Sequence, residues 1–139
     1  MRSRGFVEET IAKKEEIKET LSRKVNVKKV VKDHHAIRKP RPCGITVHTA
    51  IGCVGACTYC YISDMGFSKG RAEPYPLNGE ELVAALVHND RFFPGIYGTP
   101  IALGSVTDPL SRVSLSKTLD YLSAIYEYLG NPVQFSTKF

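Results

Sequence analysis

Three cysteines lie close together in the middle of this 139-residue chain, and their spacing is typical of ligands to one metal centre. Cys53, Cys57 and Cys60 form a C-x3-C-x2-C pattern, with the aromatic residue Tyr59 directly before the last cysteine. Cysteine thiolates hold [4Fe–4S] clusters, usually as a set of four. Because three local thiolates leave one iron open to another ligand, the pattern predicts a cluster that takes part in catalysis rather than in electron storage.

The fourth cysteine, Cys43, leaves a zinc site open as an alternative. Structural zinc sites commonly use two C-x2-C pairs separated by a loop, and this chain has one such pair. A disulfide framework is a weaker alternative, because the N-terminus has no apolar signal segment. We expect Cys43 to be a buried small apolar residue rather than a ligand. The histidines (His34, His35, His48 and His88) have no metal-ligand spacing to the cysteines, and we expect His48 to be a strand residue.

Charge divides the chain into two parts. Residues 1–42 contain 13 Lys and Arg against 6 Asp and Glu, whereas residues 43–139 contain 6 against 8. We therefore predict a basic N-terminal extension over 1–42 and a separate domain over 43–139. Basic segments can follow nucleic-acid phosphates, but acidic residues interrupt this one and its only aromatic residue is Phe6. A solvated helical extension is the alternative, with a weak apolar stripe at Val7, Ile11, Ile17 and Leu21.

The apolar content is typical of a globular protein, and the absence of a signal segment makes the cytoplasm the expected location. Hydrophobic residues make up 42% of the chain, yet no apolar run is long enough to cross a membrane. A reducing compartment also suits a low-potential iron–sulfur cluster. We therefore expect a cytoplasmic location and no membrane partner.

Three stretches rich in apolar and β-branched residues predict strands over 45–51, 100–106 and 133–137. Helical patterns separate them, so the order is β-loop-α-β-α-β. Such an order predicts an α/β fold with parallel strands and right-handed crossovers.

Both intervening helices have clear end signals. The first begins after Asn78, with Glu81 as its capping-box partner. The second covers 114–129 and ends at Gly130, the expected C-cap. We expect the apolar stripe of this second helix to be buried; it consists of Leu115, Leu119, Leu122, Ile125 and Leu129.

Residues suited to chemistry follow the predicted strands at the point where each strand ends. The cysteines follow the first strand, Asp108 follows the second and Lys138 follows the third. The carboxyl ends of parallel strands meet at one edge of a sheet, where ligands commonly bind. We therefore expect a single site there.

The cysteine motif with its aromatic residue resembles the signature of radical S-adenosylmethionine (SAM) enzymes. Two further segments, Leu-Gly-Ser-Val-Thr-Asp-Pro at 103–109 and Phe-Ser-Thr-Lys-Phe at 135–139, are similar to the spore photoproduct lyase-like group of that superfamily. The resemblance covers about residues 43–139. It implies a full or partial (βα)6 barrel, of which this chain would contain about three βα units, the N-terminal half.

The resemblance also implies cofactors and roles for individual residues. The three cysteines would ligate a [4Fe–4S] cluster, whose electron cleaves SAM to a 5′-deoxyadenosyl radical. Tyr59 would lie near the adenine, Ser105 and Asp108 near the methionyl amino group, and Lys138 near the SAM carboxylate. An acceptor for the ammonium and a cation for the carboxylate should in any case flank the open iron.

Partners follow from the same resemblance. Reduction of the cluster implies an electron donor such as ferredoxin or flavodoxin. Three strands rather than six imply a second polypeptide that completes the barrel, or a chain that is a truncated or split member of the group. The alternative is a non-catalytic iron–sulfur or zinc binding module, which would not need Asp108 and Lys138.

Overall fold

The fold is a small parallel sheet with helices packed against it and a separate two-stranded ribbon. A computed structural model describes residues 3–53, 71–104 and 107–137. The parallel sheet contains β1 (Ile45–Val47), β4 (Ile101–Leu103) and β5 (Val133–Gln134) in the order β1-β4-β5. The predicted α/β class with parallel strands is thus confirmed, on strands shorter than the sequence pattern indicated.

The first predicted strand, 45–51, is divided between two sheets. Only β1 joins the parallel sheet, and β2 (Ala50–Cys53) pairs instead with β3 (Arg71–Pro74) as an antiparallel ribbon. The prediction of one strand was wrong because β-branched residues indicate extended chain but do not specify its partner. His48 accordingly lies between two strands and not within one.

The described part of the chain contains five α-helices. The N-terminal segment forms α1 (Ser3–Ser22), α2 (Val27–Val30) and α3 (His34–Ile37), and the crossovers contain α4 (Gly79–Val87) and α5 (Leu115–Ala124). The chain continues from α5 into a π-helical turn, Ile125–Leu129, before the last strand.

The predicted end signals of the crossover helices are confirmed. Asn78 accepts a hydrogen bond from the backbone of Glu81, and the Glu81 side chain accepts one from the backbone of Asn78, so the capping box is complete. Gly130 ends the π-helical turn with φ +73°, in the left-handed region that favours glycine.

The predicted buried stripe of the second helix is only partly correct. Leu115 is 41% exposed and Leu119 is 55% exposed. Ile125 and Leu129, in the π-helical turn, are buried as predicted, and the buried positions of α5 itself are Thr118, Tyr121 and Ala124. The helix turns its larger aromatic residue inward because the Tyr121 hydroxyl donates to the Leu77 carbonyl, which satisfies the buried polar group.

The segment of α1 is helical as predicted, and its second half contributes the residues that are buried in the core. Ile17 and Leu21 are buried in the same core as the sheet and α4, whereas Val7 and Ile11 are about half exposed. Between them lies Lys14, whose buried ammonium donates to the Asn89 carbonyl at 2.7 Å. Part of the basic N-terminal segment therefore contributes to the core.

Gly104, directly after β4, is a position where a side chain should not fit. Its φ is +77°, and a Cβ atom would lie 2.7 Å from Pro109 Cδ and 2.8 Å from the Thr107 carbonyl oxygen. Gly104→Ala should lower the free energy of unfolding by roughly 2–5 kcal/mol, from left-handed strain plus overpacking.

Gly130 is the matched control, because its φ is +73° and a Cβ there meets no described atom within 4 Å. Gly130→Ala should cost only the strain, about 1–2 kcal/mol. Chemical denaturation of both variants checks this. Equal losses would mean that the close approach at Gly104 carries no cost.

Candidate metal centre

The carboxyl ends of the parallel strands meet at one edge of the sheet. Gly104, which follows β4, donates its backbone N–H to the Val47 carbonyl at the end of β1, at 3.1 Å. Thr137, which follows β5, donates its hydroxyl to Oδ1 of Asp108. The end of β1 is thus hydrogen-bonded to the end of β4, and the chain after β4 is hydrogen-bonded to the chain after β5.

Cys53, the first of the three cysteines, is the last residue of β2 and lies opposite Arg71 in the ribbon. The two residues that flank segment 54–70 are therefore neighbours in the ribbon. Cys57, Cys60, Tyr59, Ser105 and Lys138 lie outside the described residues, so their predicted roles stay predictions. Among the described residues, no group of three or more His, Cys, Asp and Glu side chains is positioned to hold a metal ion.

Asp108 is buried at this edge and takes part in a turn. Its Oδ1 atom accepts a hydrogen bond from the backbone N–H of Leu110 at 2.9 Å, as well as the bond from Thr137. The first of these bonds is the role that an Asp-Pro sequence predicts. The second bond comes from Thr137, the residue before Lys138. The Asp108 carboxylate is therefore bonded to the segment that leads to the predicted cation.

A buried polar network, which the sequence pattern did not reveal, lies beside the start of the ribbon. Asp33 Oδ1 accepts from His35 Nδ1 at 2.7 Å, and Asp33 Oδ2 accepts from the Tyr75 hydroxyl at 2.9 Å. His35 Nε2 accepts from the backbone N–H of His48 at 3.1 Å, which assigns the ring proton of His35 to Nδ1. The sequence offers one signal for part of this network. Asp is a common N-cap residue, so Asp33 before His34 and His35 indicates the start of a helix.

Burial and hydrogen bonding together determine the charges in this network. Burial alone would raise the pKa of Asp33, but hydrogen bonds from the side chain and backbone of His35 and from Tyr75 outweigh it and lower that pKa to about 2. Burial lowers the pKa of His35, against the opposing effect of Asp33. Burial raises the pKa of Tyr75. The network therefore holds an ionised carboxylate, a neutral imidazole and a neutral phenol near pH 7.

His48, directly after β1, has a neutral imidazole ring. Its Nε2 atom accepts from the Arg38 guanidinium at 2.9 Å, so the ring proton is on Nδ1. Burial, followed by the charge of Arg38, lowers the pKa of His48 to about 4. Within the described part of the chain, His48 Nδ1 and the neighbouring Thr49 hydroxyl are buried and have no hydrogen-bond partner.

Cys43 does not have the predicted burial, since it is exposed and its thiol is free. It directly precedes the Gly44 turn that leads into β1, and its carbonyl accepts from the Gln134 side chain. The prediction was wrong because this position is in a connection at the protein surface, where even apolar residues stay accessible to water.

Several basic side chains of the N-terminal segment are paired within the molecule. Lys29 contacts Glu81 at 2.8 Å and Lys24 contacts Glu80 at 3.5 Å, so both pair with the start of α4. Acidic residues at a helix N-terminus also complement its dipole. These pairs give the lysines a structural role, and the predicted contact with nucleic acid stays a prediction.

A cavity of about 490 Å³ lies at the opposite edge of the sheet, beside the residues that precede β1 and β4. Its lining is mainly apolar and includes Phe6, Val7, Phe93, Tyr97 and Pro100. The cavity is at the amino ends of the parallel strands, whereas the chain enters the cysteine-bearing ribbon from the carboxyl end of β1.

Comparisons with known proteins identify no relative. A scan against protein-family models, a search of curated proteins and a search of solved structures each found no match. In the portions of the chain that the structure describes, no helix combines the length and apolarity needed to cross a bilayer.

The neutral state of His48 predicts a pH-dependent stability. Its pKa is about 4 in the folded protein against an ordinary value of 6.5, so the unfolded chain takes up the proton first as the pH falls. The contribution of His48 to the free energy of unfolding should be fully present above pH 6.5 and should fall by about 3 kcal/mol by pH 4, in addition to the loss from His35, whose pKa burial also lowers. His48→Gln, which can still accept from Arg38, should reduce this loss in urea denaturation measured between pH 7.5 and 4.5.

His88→Gln lies outside this network and serves as the control, with the parental dependence expected. An equal loss of stability in the parent and in His48→Gln would show that another group causes it.

Proposed function

We propose that this chain forms part of a radical SAM protein of the spore photoproduct lyase-like group. In this proposal Cys53, Cys57 and Cys60 bind a [4Fe–4S] cluster, and SAM binds at its open iron. The observation that carries the proposal is the parallel order β1-β4-β5. That order puts the chain ends leading to the cysteines, to Asp108 and to Lys138 at one edge of a sheet, where α/β folds bind ligands.

The residues present suit such a group. Three thiolates with this spacing are chemically matched to iron. Cys53 ends a strand and pairs with Arg71, so the backbone of the first proposed ligand is held by the ribbon. The unpartnered Nδ1–H of His48 and hydroxyl of Thr49 supply polar hydrogen atoms close to the start of that ribbon.

The protein's own task would be to bind and orient SAM. The bound cluster would supply the electron for reductive cleavage of SAM. Asp108 would accept hydrogen bonds from the methionyl ammonium, with Ser105 beside it, and Lys138 would neutralise the carboxylate. The Thr137–Asp108 bond supports this pairing, because it ties the residue before Lys138 to the proposed ammonium acceptor. Tyr59 would contact the adenine.

Three parallel strands correspond to half of a (βα)6 barrel. The proposal therefore includes further strands from a second polypeptide or from more chain, and an electron donor such as ferredoxin or flavodoxin.

A second candidate is an iron–sulfur or zinc binding module without catalysis. The turn bond from Leu110 to Asp108 favours it, because this bond gives the carboxylate a structural role that needs no SAM. The metal that the cysteines take up, and the response of that metal to SAM, separate the two candidates.

Anaerobic reconstitution with iron and sulfide should give about four irons per chain, the cubane stoichiometry. Replacing Cys53, Cys57 or Cys60 by Ala should abolish the brown absorbance, because each removes one of three ligands. Iron and acid-labile sulfide analysis measures the result.

Cys43→Ala is the matched control, since Cys43 is a free and exposed thiol of the same chain. It should retain full iron content. Stoichiometric zinc with no iron uptake, or loss of iron in Cys43→Ala as large as in the other variants, would contradict the proposed ligand set.

A further inference from the structure

One carboxylate of the N-terminal segment is connected to both strands of the cysteine-bearing ribbon. Through the His35 ring, Asp33 reaches the backbone N–H of His48, just before β2 begins. Through the Tyr75 hydroxyl, it reaches the residue directly after β3. The two oxygens of Asp33 therefore divide between the entry and the exit of the ribbon.

The entry and the exit of the ribbon are also joined by a backbone hydrogen bond. Tyr75 donates its N–H to the Thr49 carbonyl at 3.0 Å, which extends the β2–β3 ladder by one bond towards Asp33. The rings of His35 and Tyr75 also pack edge to face, with centroids 5.1 Å apart. The base of the ribbon is thus closed by polar and aromatic contacts to one short segment.

That segment is itself held in place by buried groups. Asp33 caps α3 by accepting from the His35 backbone N–H at 2.9 Å. Asn89, which follows α4 and is 1% exposed, donates its side-chain N–H groups to the carbonyls of His35 and Arg38. Lys14 then donates to the Asn89 carbonyl. A continuous set of hydrogen bonds therefore runs from α1 to the ribbon.

We infer that Asp33 is a positioning residue for the candidate metal centre, which it orients by fixing the base of the β2–β3 ribbon, where β2 begins and β3 ends. This inference rests on the proposed function. Asp33 touches no metal; it acts through His35 and Tyr75. The N-terminal segment, which charge alone marks as an extension, would in this way contribute to the geometry of the cysteines.

Hydrogen–deuterium exchange of the metal-free protein tests the mechanical part of the inference. Asp33→Asn replaces a charged acceptor by a neutral one and should speed exchange of the β2–β3 amides about tenfold or more, the effect of weakening charge-assisted hydrogen bonds. Tyr75→Phe removes only the hydroxyl bond, so it should cause a smaller increase in the same amides. Those of the β1–β4 ladder should keep parental rates in both variants.

The reconstituted protein tests the effect on the metal. Both variants should take up iron but release it to a chelator faster than the parent, about tenfold for Asp33→Asn, with a changed electron paramagnetic resonance line shape. Asp120→Asn is the matched control, because Asp120 also accepts a backbone N–H, from Gly79 at 2.7 Å, but does so at α4. It should keep the parental line shape and release rate.

Three results would overturn the inference: parental exchange in the ribbon of both variants, an equal increase in both sheets, or parental iron release from a loosened ribbon. Absence of iron uptake by the parent protein would instead contradict the proposed function. The exchange measurement would still decide whether Asp33 holds the ribbon, because it is made without metal.

Discussion

The pairing of β4 with two parallel neighbours is the constraint on which the rest of the structure depends. This three-residue strand pairs with β1 on one side and with β5 on the other. Because parallel strands need crossovers, α4 and α5 must each return the chain across the sheet. The same arrangement directs the carboxyl ends of β1, β4 and β5 to one edge of the sheet, where the proposed site would lie.

The ribbon β2–β3 is inserted into the crossover from β1 to β4, next to the cysteine motif. In a simple crossover, β1 would lead directly into a loop and a helix. Here the chain turns at His48 and Thr49 and forms an antiparallel pair before α4 begins. The cysteine segment is consequently attached to the sheet through a separate hydrogen-bonded stem. The partly buried Asp33 and the buried His35 and Tyr75 join that stem to the body of the protein.

The sequence pattern predicted well wherever a local interaction decides the structure. The capping box at Asn78 and the left-handed Gly130 were correct because each depends on a few neighbouring residues. The parallel order of the strands was also correct, since chain order and crossover length restrict it. The individual boundaries were poorer, and the pattern over 45–51 did not distinguish one strand from two.

What the pattern missed is non-local. Asp33 and Tyr75 are 42 positions apart, and their hydrogen bond depends on how α3 meets the ribbon. The inward face of α5 likewise follows from a carbonyl acceptor that the Tyr121 hydroxyl reaches in the folded protein. The cysteines are the opposite case, in which the sequence is more informative than the structure. Their spacing and chemistry predict a cluster, whereas Cys57 and Cys60 lie outside the described residues. The candidate site thus combines a motif read from sequence with a scaffold seen in the structure.

The central claim is that the three cysteines hold a cluster with an open iron that takes SAM. The most direct measurement is the electron paramagnetic resonance spectrum of the reduced, reconstituted protein, recorded with and without SAM. We expect a saturable change in the spectrum on addition of SAM, because the methionyl amino and carboxylate groups would bind the open iron. A reduced cluster whose spectrum is the same at every SAM concentration would contradict the claim.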